Sequence, residues 1–468
     1  MATNPDDTVE PAPAPPSGRR RGSWLRDAPL RWWRENRPQR RRSGHPQLDV
    51  APALPERDLA RVRDVVADVL GRHHPATQRE EVGIIADAYL GLNDEGRAAF
   101  LRLLADEFWT NTELVDREAA RLRMTRDRRA VEQALRRALT PAATVLLRLF
   151  TGLEQGVKFL VDLRADLLRL RERDHELADL DLELKAQLIT LFDVGLLELR
   201  RITWNAPASL LEKLIEYEAV HAIDSWADLK NRLDSDRRCY AFFHPAMPDE
   251  PIVFVEIALT RGAAEDLPLL LDESAPDLPA YDADTAIFYS ISNCQPGLAG
   301  VNLGNALIKQ VVDQLRVDLP NLHVFATLSP APNFRQWLEQ ELNADRLRDG
   351  ERQLLPAAPA RVLVRLADAN WNSDEASEPL LLSMCARYLT TRERERAIDP
   401  VANFHLANGA SIERLNWMAD PSATGLARSA GLMVTYRYEP ERIAERAEAY
   451  ASRGEIAMSG AIRDLLRD

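Results

Sequence analysis

The chain has 468 residues, 46% hydrophobic and 28% charged, which is length for about two or three domains, each with a sizeable core. Lys and Arg total 60 against 73 Asp and Glu, and the net charge of -13 excludes a whole-surface positive field for nucleic acid. No uncharged apolar run approaches the ~20 residues needed to span a bilayer, so a membrane-embedded transporter is excluded as well.

Residues 1–50 form a Pro/Ala stretch followed by an arginine-rich segment with Trp24, Trp32 and Trp33, neither able to build a core, and they read as a flexible extension. The first residues lack the apolar core of a secretory signal, and Asp6, Asp7 and Glu10 break the acid-poor pattern of a transit peptide, so a cytoplasmic protein is expected. Cys239, Cys294 and Cys385 lie far apart, with no C-x-x-C pair, which fits a reducing compartment and suggests neither a disulfide framework nor a zinc site. Residues 51–204 are rich in Leu, Ala, Arg and Glu. Apolar positions such as Val157, Leu160, Val161, Leu167 and Leu168 recur at helical spacing, which predicts a helical bundle punctuated at Gly91, Pro141 and Gly152. His73 and His74 are adjacent, point to different helix faces and read as surface residues.

The texture changes within residues 205–468. Ser209-Leu210-Leu211-Glu212 predicts a helix with a capping-box start that ends near His221. Tyr240–Phe243 and Ile252–Leu259 predict two strands around a turn holding Pro245, Pro248 and Asp249. After an acidic linker at 272–284, Ala286–Ser292 reads as a buried strand. Gln295–Gly304 is a connection with three glycines, Leu307–Leu315 an amphipathic helix, and Leu322–Leu328 another strand. A strand, glycine loop and helix can turn backbone N–H groups on a phosphate, although neither the P-loop nor the G-x-G-x-x-G pattern is matched, and a plain tight turn stays open as the alternative. Ser329 follows the second strand, where α/β units gather ligands, and also suits an N-cap or turn; the G-x-S-x-G elbow is absent. His405, within Asn403-Phe404-His405-Leu406, reads as a core histidine unless a partner meets it.

Several of these stretches together resemble the malonyl-CoA decarboxylase family. They are Arg201-Ile202-Thr203-Trp204-Asn205-Ala206-Pro207-Ala208, Glu218-Ala219-Val220-His221, Phe243-His244-Pro245-Ala246-Met247-Pro248, Ile287-Phe288-Tyr289-Ser290-Ile291-Ser292, Gly297-Leu298-Ala299-Gly300-Val301, Leu328-Ser329-Pro330, Asn403-Phe404-His405-Leu406 and Asn416-Trp417-Met418-Ala419-Asp420. The resemblance implies an α+β protein, with an N-terminal all-α helical domain used for oligomerisation, a tetramer in the family, and an acyl-CoA-binding α/β domain of the GNAT acetyltransferase type. It implies Ser329 and His405 as the catalytic pair, and Ala299, Gly300, Val301, Asn302, Leu303, Gly304 and Asn305 as the malonyl-CoA contact loop, with Asn302 where relatives carry an acid. Tyr438 is expected near the site without a catalytic role.

The implied reaction takes malonyl-CoA to acetyl-CoA and carbon dioxide. It needs no cofactor, because the thioester carbonyl delocalises the electrons left on the α-carbon. An unperturbed imidazole, with a pKa of about 6.5, makes His405 the expected proton donor, and Ser329 is expected to bind the malonyl carboxylate or thioester oxygen. An acyl-CoA-dependent N-acetyltransferase, a thioesterase and a non-catalytic acyl-CoA-binding protein are the alternatives.

Overall fold

The computed structural model describes residues 48–467 except 73, 173, 302, 356, 359–361, 363–365 and 367–376. Most of the basic extension, His73 and Asn302 therefore lie outside the described residues. Two compact units divide the chain between Asp181 and Leu182.

The first unit is helical, with helices Glu56–Gly71, Pro75–Leu90, Asp94–Asp106, Thr112–Met124, Arg128–Leu139, Ala142–Phe150 and Gly156–Arg171. Their starts are written in the sequence: Asn93, Asn111 and Asp127 each accept a backbone N–H of the first turn that has no partner within its own helix. Val66, Leu104, Leu147, Phe150, Leu160 and Leu167 are fully buried, and the rings of Tyr89, Phe100, Phe150 and Phe159 meet edge-on or tilted inside. Each such side chain contributes about 2 kcal/mol by leaving water. Gly91 and Pro141 do flank helix ends, as expected.

The second unit is built on one eight-stranded sheet. Its strands are β1 (Glu198–Ile202), β2 (Arg237–His244), β3 (Met247–Thr260), β4 (Thr285–Asn293), β5 (Val324–Thr327), β6 (Ser329–Pro330), β9 (Ser411–Asn416) and β10 (Met433–Tyr438), while β7 (Arg392–Glu393) and β8 (Arg396–Ala397) form a separate small hairpin. The first four strands pair antiparallel in sequence order, and β4 and β5 run parallel across the helix Gly304–Asp318. β5 and β6 are two stretches of one line of chain around Leu328. Both pair antiparallel with β10, and β9 takes β10's other edge. The α+β class read from the sequence is the class observed.

Alternation along the strands separates two faces. Cys239, Ala241 and Phe254 point to the helices Ala208–Tyr217 and Trp226–Asn231, packing with Leu211, Leu214 and Leu229. Tyr240, out of phase with them, bonds Asp318 of the helix Gly304–Asp318 on the other side.

Two local expectations change. The helix Ala208–Tyr217 has Pro207 as its N-cap, with no side-chain cap, and stops at Tyr217. There Glu218 turns its carboxylate back onto the N–H groups of Val220 and His221, which favours a turn over another helical bond. Pro248 and Asp249 belong to β3, not to the turn, because that end of the strand is exposed and its pairing is already broken by irregular register beside Phe243.

The feature that positions chemistry is a fork. β4 and β5 pair only from Thr285↔Val324 to Phe288↔Thr327, with a last bond from Leu328 N–H to the Phe288 carbonyl at 3.1 Å. Beyond it β4 continues to Asn293 alongside β3, whereas the other line continues through Ser329 alongside β10.

Candidate active site

Ser329 stands at the opening of that fork, its backbone paired with Val434. Thr327, two residues earlier, shares its face, and the two hydroxyls lie 3.0 Å apart. The Thr327 hydroxyl also accepts the Tyr436 N–H at 3.2 Å, filling the step of the ladder where β5 gives way to β6.

His405 arrives on the helix Pro400–Ala407. Asp399 caps this helix through the Ala402 N–H at 2.7 Å, and Pro400 occupies its first turn. The Tyr450 hydroxyl holds Asn403 of the same helix at 2.9 Å. The imidazole then lies flat on Tyr436, with ring centroids 4.3 Å apart and planes 25° from parallel. Its Nε2 is 3.1 Å from Ser329 Oγ and its Nδ1 2.8 Å from Tyr438 Oη. The two residues implied as a pair, 76 positions apart, are thus in contact.

The hydrogen bonds have one consistent direction. Ser329 donates to Thr327, so its oxygen accepts from His405 Nε2–H, and Nδ1 is left to accept the Tyr438 O–H. A proton line therefore runs from Tyr438 through His405 to Ser329.

His405 is 2% exposed and Ser329 7%. Burial, with no carboxylate opposing it, lowers the imidazole pKa to about 3. This corrects the expectation of an imidazole that titrates near neutrality: at pH 7 the ring is neutral, with one nitrogen donating and the other accepting, and is not a standing cation. Burial pushes the Tyr438 phenol well above its ordinary value, so it is protonated too.

The glycine loop lies at the far end of β4. Gln295 anchors it by donating to the Pro251 carbonyl at 2.9 Å, and residues Pro296–Leu298 make one tight turn. Gly300 has φ +75°, a region glycine enters without strain. The N–H groups of Ala299, Val301 and Leu303 are spent on carbonyls within the loop, so of the expected contact residues these three do not offer free backbone donors. Gly304 opens the helix Gly304–Asp318, whose first turn has no side-chain cap, and Asn305 follows it. From Phe288, opposite Thr327, β4 spans five residue steps to Asn293, about 17 Å of strand between the proton line and the loop.

Sequence reasoning missed Thr327 and Tyr436 and gave Tyr438 no task. The available signal was alternation, since Thr327 and Ser329, and Tyr436 and Tyr438, are i,i+2 pairs on neighbouring antiparallel segments. Among the described residues no three His, Cys, Asp or Glu side chains gather as a metal would require, and no helix is long and apolar enough to cross a membrane.

The model of the malonyl-CoA decarboxylase C-terminal domain matches residues 195–468, and that of the N-terminal domain matches residues 108–192. The chain belongs to the malonyl-CoA decarboxylase family. It is 36% identical over 396 residues to the mitochondrial malonyl-CoA decarboxylase of Anser anser anser, covering 78% of each chain, and 38% identical over 375 residues to that of Rattus norvegicus, covering 75% of each. The crystal structure of malonyl-CoA decarboxylase from Rhodopseudomonas palustris superposes with TM-score 0.81 at 36% identity, covering 87% of this chain and 99% of that one. The Agrobacterium vitis enzyme gives 0.80 at 39%, covering 87% and 100%. Membership therefore extends over both the helical and the sheet-bearing parts of the chain.

Proposed function

We propose that the chain decarboxylates malonyl-CoA at the fork, with Ser329, His405 and Tyr438 as its proton line. The observation that carries the assignment of these residues is the unbroken contact from Tyr438 Oη through both imidazole nitrogens to Ser329 Oγ. The sheet end resembles an acetyltransferase-type acyl-CoA domain, and the divergence of β4 from β5, with a glycine loop leading into a helix between them, supports that reading.

In the reaction the bond between the malonyl α-carbon and its carboxylate breaks, and carbon dioxide leaves. The electron pair passes into the thioester as an enolate. Ser329 turns its O–H from Thr327 to the α-carbon and transfers the proton; His405 Nε2–H refills the serine, and the Tyr438 proton refills Nδ1. The phenolate left behind is far less basic than the enolate it quenches and regains its proton from water. Fixing these donors before the charge develops is what lowers the barrier.

Malonyl-CoA supplied alone yields acetyl-CoA and carbon dioxide in equal amounts. An N-acetyltransferase would need an amine acceptor, a thioesterase would release free CoA, and a binding protein would leave the substrate intact; any of these three results rejects the assignment.

The relay also sets a pH profile. The kcat/KM of a reaction run through neutral His405 reports the free protein, so it is flat from about pH 5 to 8, with no inflection near the ordinary imidazole value of about 6.5. Measuring kcat/KM at half-unit intervals checks this; a limb near 6.5 that disappears in His405→Asn contradicts it.

A cytoplasmic site of action belongs to the same proposal, supported by three cysteines that are all buried free thiols.

A further inference from the structure

We infer that Lys185 is the cation that holds the acyl-CoA pyrophosphate over the Gly300 turn. The inference rests on the acyl-CoA reading above and adds a ligand from outside the strand, loop and helix unit.

Lys185 lies on the helix Ala178–Leu191 and is half-buried. Its end rests on the glycine turn so closely that a Cβ built on Gly300 would lie 2.9 Å from Lys185 Nζ and 3.3 Å from Cε. Glycine is thus required there twice, for its φ of +75° and for the room it leaves to the lysine. Several other basic groups in buried or half-buried places are paired with an acid, Lys158 with Asp162, Lys213 with Glu250, Arg164 with Asp181 and Arg232 with Glu256, and buried Arg238 instead spends its guanidinium on the carbonyls of Ser235 and Arg237. Among the described residues Lys185 has no carboxylate or hydrogen-bond partner, although acids outnumber bases in the chain.

An ammonium carries three donors, and here it rests over a glycine turn with no carboxylate among the described residues to take them, which leaves the place open to an anion. The anion the site would take is a phosphate with two negative oxygens in reach. Four residues beyond Gly300, the helix Gly304–Asp318 begins without a side-chain cap, which adds favourable potential on the loop side. A lysine suits this task as a compact point charge, and a charge-assisted bond of this kind is worth about tenfold in affinity. Because Lys185 meets the loop and not the Ser329 line, its effect falls on substrate capture.

The test compares Lys185→Ala and Lys185→Arg with the wild-type chain on malonyl-CoA, its 3′-dephospho form and malonyl-pantetheine. In Lys185→Ala, KM rises about tenfold for both pyrophosphate-bearing substrates and does not rise for malonyl-pantetheine, while kcat stays in the wild-type range; Lys185→Arg recovers most of the loss. An equal rise for malonyl-pantetheine would show that the lysine only shapes the loop. A rise confined to the substrate carrying the 3′-phosphate would move the contact to that group. Either result overturns the assignment. Calorimetric binding of CoA to the same variants isolates the lysine from the chemistry: unchanged affinity in Lys185→Ala rejects it even if the wild-type chain decarboxylates malonyl-CoA, and a tenfold loss upholds it even if the chain does not.

Discussion

Ser329→Ala and His405→Asn each lower kcat on malonyl-CoA by at least about 10²-fold and leave CoA binding in place. Losing one preorganised donor to a developing oxyanion costs roughly 3 kcal/mol, and here the donor is also the last carrier of the proton. Removing the hydroxyl separates His405 from the substrate; removing the imidazole separates Ser329 from Tyr438. The three side chains act as one line, so the double variant falls little further than either single one. Steady-state kinetics with calorimetric CoA binding measures both halves of the expectation. A single variant with near-normal kcat removes that residue from the mechanism, and multiplicative losses in the double variant would mean that the two work separately.

Arg232→Met destabilises the sheet-bearing unit by about 3–5 kcal/mol. The guanidinium is 3% exposed and donates to Glu256 at 3.0 Å, to Asp228 at 2.7 Å and to the carbonyls of His221 and Ala222. Burial first, and the neighbouring Glu218 next, raise the Glu256 pKa to about 8, while Arg232 pulls it down. A carboxyl whose folded value lies above its unfolded value of about 4.3 contributes stability that is fully present below pH 4.3 and is lost as pH rises towards 8. Deleting Arg232 removes the one favourable influence and raises that pKa further. The deficit of the variant is therefore larger at pH 8 than at pH 5, and Glu256→Gln added to Arg232→Met recovers part of it. Urea unfolding at the two pH values reads this directly; a deficit under 1 kcal/mol at both would show that the pair is not a stabilising contact.

Local patterns carried much of the architecture. Runs dense in β-branched, aromatic and other apolar residues placed β2, β3, β4 and β5, helical spacing placed the first unit, and the glycine cluster marked the connection between β4 and the helix Gly304–Asp318. What failed locally did so because a side chain captured backbone: Glu218 ends a helix four residues before the point that periodicity suggests. The pairing of Ser329 with His405 was legible only through resemblance, since no spacing rule joins residues 76 apart. The charge state of His405 was not legible at all. It depends on the face of Tyr436 and the seal around it, both fixed by the register of β10 on β5 and β6, which a stretch of sequence around the histidine does not encode. Arg232 and Glu256 were passed over for the same reason, because their burial belongs to the assembled sheet.

Among the described strands β10 comes last in chain order, and it sits between β9 and the β5–β6 line, neither of which pairs with the other. A nascent chain halted before Met433 would already hold the glycine turn, Ser329 and His405, yet would lack both tyrosines and the ladder that brings serine and imidazole together. Closing that gap joins segments a hundred residues apart, a slow kind of contact to form. A proton line that waits on Tyr438 would make activity a report that β10 has closed the sheet.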